Sequence, residues 1–96
     1  MSPSGKVLYT TNLPGGGSDG LFAIDTKTNL VIGSSDTPYP VPHNGVVTKN
    51  NKLFLAHSGA TADKVTIYDV TTTNPVPELR AEVTVGFNPF GLASVR

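Results

Sequence analysis

Apolar and β-branched residues fall along this chain in short runs, separated by stretches rich in glycine, proline, asparagine and aspartate. Eight runs read as strands: Val7 to Thr11, Leu21 to Asp25, Leu30 to Ser34, Gly45 to Thr48, Lys52 to His57, Lys64 to Asp69, Leu79 to Val85 and Gly91 to Val95. Their Val, Leu, Ile, Tyr, Phe and Thr content suits a pleated, half-buried surface, and no window carries the period of a helix. The segments Asp25-Thr26-Lys27-Thr28-Asn29 and Asp69 to Asn74 predict turns, because Asp and Asn side chains bond nearby backbone and tolerate left-handed geometry. Asn12 to Gly20, with its Gly15-Gly16-Gly17 run, predicts a mobile loop, and Ser58 to Asp63 stands at the equivalent place further on. Pro38-Tyr39-Pro40-Val41-Pro42 predicts an extended connection with few backbone donors.

The runs repeat. Gly5 to Asn12 aligns with Asn51 to Ser58, Leu21 to Thr26 with Val65 to Val70, and Pro42 to Val47 with Asn88 to Ala93, at a spacing of about 44 to 46 residues. That is the length of one four-stranded propeller blade.

Gly5-Lys6-Val7-Leu8-Tyr9-Thr10-Thr11-Asn12, Ala23-Ile24-Asp25-Thr26-Lys27-Thr28-Asn29-Leu30-Val31, Pro42-His43-Asn44-Gly45-Val46-Val47 and Gly86-Phe87-Asn88-Pro89-Phe90-Gly91-Leu92-Ala93 resemble the YVTN-type repeat of β-propellers. The third of these carries one inserted Asn. In the second half, Lys49-Asn50-Asn51-Lys52 lacks the Pro and Gly of the family turn, and Thr71 to Pro77 replaces its usual Val pair. The resemblance implies an all-β propeller segment in permuted register: three strands of one blade over 7–34, a full blade over 45–85, and an inner strand over 91–95 that completes a neighbouring blade. Such a chain leaves open sheet edges, so it is expected to associate. The partner is either the chain itself, as a trimer or tetramer by strand exchange, or the remainder of a larger propeller. The resemblance also implies a periplasmic or cell-surface setting, although no basic-then-apolar leader opens the chain.

Composition narrows the function classes. Seven Lys and Arg balance seven Asp and Glu, so the basic footprint of a nucleic-acid binder is missing. No apolar run is long enough to predict a membrane-spanning helix. Cysteine is absent, which removes disulfides, thiolate nucleophiles and cysteine metal ligands together. There is no Trp, which excludes a tryptophan-derived quinone in this chain.

The candidate chemistry centres on two histidines. His43 precedes an inner strand and His57 ends a second strand, so both are expected at one axial face, with Asn44, Gly45 and Ser58 beside them as ligand candidates. Symmetry copies of His43 could converge in a closed ring and, with His57, offer imidazole ligands to Cu, Zn or Ni. Copper enzymes that look like relatives place histidines there. A Ser58-His57-Asp63 triad has the right residue types, but neighbouring strand residues point to opposite faces. Gly15-Gly16-Gly17 joins strands and lacks the ending of a phosphate loop. Asp25 and Asp69 read as turn-formers, and Tyr9, Phe22, Phe54 and Tyr68 as filling between blades. The expected function is a binding or scaffolding module with its ligand site at the axial face; the alternative is a metal-dependent or redox enzyme with histidines at the central channel.

Overall fold

The structure, a computed structural model, describes residues 1–12, 19–71 and 73–95. They form two antiparallel sheets and no helix. The first sheet has the order β1 (Val7–Thr11), β2 (Leu21–Asp25), β3 (Leu30–Ser35); the second has β4 (Pro42–Val47), β5 (Lys52–His57), β6 (Lys64–Asp69), β7 (Glu78–Thr84). Residues 91–95, expected to complete a neighbouring blade, pair with no strand among the described residues of their own chain. One boundary is corrected: β4 starts at Pro42 instead of Gly45, since a residue without N–H is tolerated at the first position of an edge strand. Most of the expected glycine-rich loop, residues 13–18, lies outside the described residues.

The first sheet matches strands β5 to β7 of the second in detail: β2 pairs with β3, and β6 with β7, through a bulge at the same place, between Ala23 and Ile24 and between Ile67 and Tyr68. Asn51 N donates to Thr48 O at 3.1 Å, and Gly5 N to Ser2 O at 3.0 Å, with Asn51 and Gly5 both at positive φ. Thr48 N then donates to Lys52 O, and Ser2 N to Val7 O. The first turn therefore holds one residue more, Lys6. This shifts the strand equivalence: Leu8 corresponds to Leu53 and Tyr9 to Phe54, one position away from the alignment the sequence suggests. Since strand side chains alternate, that single residue decides which face each occupies.

With this register the sheets stack in the same sense. The face of the first sheet carrying Tyr9, Leu21, Ala23 and Gly33 meets the face of the second carrying Leu53, Leu55, Thr66 and Tyr68. Leu21, Leu53, Leu55, Tyr68 and Val70 form the core cluster, with Tyr9 and Val47 packed against it. Full burial of a Leu side chain contributes about 1.5 to 3 kcal/mol relative to exposure, so this interface is what holds the sheets together. The connection before β7 binds across it: Tyr9 Oη donates to Pro75 O at 2.7 Å, Ser35 Oγ donates to Pro77 O, and Val76 lies over Gly33. Of the four aromatics expected to fill between blades, Tyr9 and Tyr68 lie between these two sheets. Phe22 and Phe54 lie on the outer faces, by the alternation just described.

Two features remain open. The outer face of the first sheet presents Leu8, Phe22, Ile24 and Val31, the last 59% exposed. Among the described residues the outer edge of β1 has no partner strand. Backbone groups of Lys6 and Asn12 bond toward β2, through Thr26 N to Lys6 O and Asn12 N to Gly20 O. By alternation, Tyr9 and Thr11 direct their N–H and C=O groups the other way.

Candidate functional site

The five residues singled out in the sequence divide between two cavities. His43, Asn44 and Gly45 line a groove of about 270 Å³ between the open edge of β1 and β4. His57 and Ser58 line a separate cavity of about 430 Å³, with Tyr39, Val41 and Asp63 contributed by the flanking loops and Lys64 by the start of β6. The two histidines are separated by a bulge: Pro42 pairs with His57 and Asn44 with Ala56, which leaves His43 as the extra residue. The inserted Asn of the repeat is absorbed at this bulge.

His57 is fully buried and is held by protein atoms at both ring nitrogens. Nδ1 stands 3.2 Å from Pro40 O and Nε2 2.8 Å from Thr66 Oγ1. A carbonyl can only accept, so Nδ1 carries the proton and Nε2 accepts from Thr66. Thr66 Oγ1 also lies 3.2 Å from Tyr68 Oη; with the threonine proton given to His57, the tyrosine hydroxyl supplies the proton between these two. Burial pushes the His57 pKa down, against a smaller upward pull from the Pro40 and Tyr39 backbone, and keeps the ring neutral. The ring of Tyr39 meets it edge-on at 5.6 Å. Metal coordination by His57 would require breaking one of these bonds.

Ser58 Oγ donates to Pro89 O at 2.9 Å, so neither Ser58 nor His57 is poised for a triad with Asp63. Asp63 faces Lys64 at 3.5 Å, and Lys64 Nζ donates to Thr84 Oγ1 at 2.7 Å. Tyr39 Oη donates to Glu82, whose carboxylate raises the phenol pKa. Tyr39, Lys64 and the Thr66–Tyr68 pair had no place among the expected site residues. The alternation of Thr66 and Tyr68 on one face was the available signal.

His43 differs from His57. Its Nδ1 is buried without a hydrogen-bond partner among the described residues, and its ring lies 4.4 Å from that of Phe90. Leu92 N donates to Asn44 Oδ1 at 3.3 Å, which seats the end of the chain against the outer face of β4. Among the described residues no three His, Cys, Asp or Glu side chains gather into a possible metal site. No described helix is long and apolar enough to cross a membrane.

Asp25 and Asp69 part company. Asp25 Oδ1 accepts from Lys27 N at 2.8 Å and Thr28 N at 3.3 Å, as a turn-former does. Asp69 instead takes Lys52 on one oxygen and Arg80 Nε on the other at 2.7 Å, and these two cations hold its carboxyl below the usual range.

No protein-family model matches the chain, and no curated protein matches it. Among solved structures it is similar to hydrazine synthase of Kuenenia stuttgartiensis, at 25% identity and a TM-score of 0.75 over 95% of this chain. This chain spans 23% of the length of that one, so the likeness extends through both sheets and to a fraction of the larger protein.

Proposed function

We propose that the chain is a two-blade β-propeller unit that serves as a binding and scaffolding module, closed into a ring by further copies or further blades, with its ligand site at the axial end. The observation that carries this reading is the open edge of β1: among the described residues the first sheet has three strands where the second has four, and a groove runs along that edge. The same-sense stacking of the sheets supports it, because a same-sense stack leaves complementary faces at its two ends and closes only as a ring. The axial ligand candidates are His43, Asn44 and Gly45. Small-angle scattering of the purified protein tests the reading: a ring-shaped particle with a central channel is expected, and a compact monomer contradicts it.

A second reading, a metal-dependent or redox centre using His43, is favoured by the partnerless Nδ1 of that residue. Stoichiometric copper or zinc in the purified protein that disappears in His43→Ala would establish it. Metal content unchanged by the substitution would remove it.

A further inference from the structure

The groove beside β1 has walls of one strand edge and one sheet face. Tyr9, Thr10 and Thr11 form the edge, Gly45 and Val47 lie across from it, and Leu53 and Leu55 line it as well. Outward-pointing backbone groups of Tyr9 and Thr11 offer the ladder of an antiparallel strand. In the second sheet the corresponding place on β5 is filled by β4, with Gly45 opposite Leu55 and Val46 opposite Phe54.

We propose that residues 90–92 of a second copy of this chain fill the groove as the fourth strand of the first sheet. The register follows from the copy relation: Gly91 opposite Thr10, Leu92 opposite Tyr9 and Phe90 opposite Thr11. Three observations point to a second copy as the occupant. First, Phe90-Gly91-Leu92-Ala93 is the sequence counterpart of β4, yet in its own chain it pairs with no strand. Second, Leu92 already rests on the outer face of β4 through Asn44, on the side away from the first sheet, where a following sheet would stand. Third, the exposed outer faces are counterparts of the two faces that already meet. Leu8, Ile24 and Val31 match Leu53, Tyr68 and Leu79, while Phe54 and Ile67 of the second sheet match Tyr9 and Ala23. One copy's second sheet can therefore stack on the next copy's first sheet as the sheets stack within the chain, and this brings the 90–92 segment to the β1 edge.

Met1 and Ala93 correspond to the same position, Val47, of the filled sheet. Met1 borders the groove at that position, next to the place of Leu92 in the proposed register.

The inference rests on the propeller reading, and disulfide trapping separates the two. The chain has no cysteine, so every disulfide comes from introduced residues. Residues directly opposite in an antiparallel pair stand about 4.5 to 5.5 Å apart at Cα, within disulfide range. A Cβ at Gly91 meets nothing within 4 Å, so Gly91→Cys leaves the free chain undisturbed. Thr10→Cys and Gly91→Cys chains mixed in a glutathione redox buffer are expected to give the heterodimer in about tenfold excess over either homodimer, from the high effective concentration of docked thiols. Thr11→Cys with Phe90→Cys provides a second pair in the same register, and Thr10→Cys with Val95→Cys should show no excess. A ring by scattering without heterodimer excess for either matched pair overturns this proposal and leaves the propeller reading standing; a monomer without crosslinks overturns both.

Discussion

Tyr9 and Phe54 hold equivalent places in their two sheets, yet Tyr9 is packed under the second sheet while Phe54 faces outward from it. Equivalent residues in different surroundings are the signature of sheets stacked in one sense. In a face-to-face sandwich of two related sheets, both would be inside. The molecule therefore ends in two unlike apolar faces, and this asymmetry underlies its expected behaviour.

Docking of the two sheets depends on the close approach at Gly33. A Cβ there would stand 2.4 Å from Val76 Cγ2. Gly33→Ala is expected to lower stability by about 1 to 3 kcal/mol, the usual cost of overpacking, and Val76→Ala in the same background should recover most of it. Urea unfolding of the two variants and their combination measures this. Additive losses would mean that the connection before β7 does not set the sheet spacing.

Thr66→Val keeps the shape of the side chain and removes its hydroxyl. His57 Nε2 and Tyr68 Oη then lose their shared partner inside the core. A loss of about 1 to 3 kcal/mol is expected at neutral pH, the cost of stranding buried polar groups. Thermal or urea unfolding checks it, and a loss near zero would show that the chain of hydrogen bonds contributes nothing.

Acidification should weaken the fold through His57. Its pKa in the folded chain lies below the ordinary 6.5, chiefly because burial disfavours the charged ring. The unfolded chain thus binds the extra proton first. Stability is full above the unfolded value, falls as pH drops below it, and levels off for this group once the folded pKa is passed. Urea midpoints between about pH 8 and pH 5 follow this window. His57→Gln should flatten that part of the profile, and a wild-type profile already flat there would contradict the assignment.

Much of this architecture was legible in the sequence because strands, turns and repeats leave local marks. Seven of the strands sit on apolar runs bounded by residues such as Asn29 and Asn51, both at positive φ. The facing of side chains was harder to read: Lys6 adds one residue to the first turn, and a shift of one residue exchanges the two faces of a strand. Phe54, and not Leu55, is the counterpart of Tyr9 for that reason. The histidines looked alike in sequence, yet the bulge at His43 and the Thr66 hydroxyl at His57 give them different surroundings. Those contacts depend on residues distant along the chain. Residues 91–95 have strand composition, but composition does not supply the neighbour that a ladder needs.

Sedimentation equilibrium on the wild-type chain beside Val31→Lys tests the central claim most directly. Val31 is 59% exposed on the outer face of the first sheet, so the lysine should leave the fold of a single copy intact while placing a charge on the surface that a second copy would cover. The account predicts a wild-type trimer or tetramer and a Val31→Lys chain shifted to monomer with an unchanged circular dichroism spectrum. A wild-type chain that stays monomeric and cooperatively folded at high concentration would contradict it.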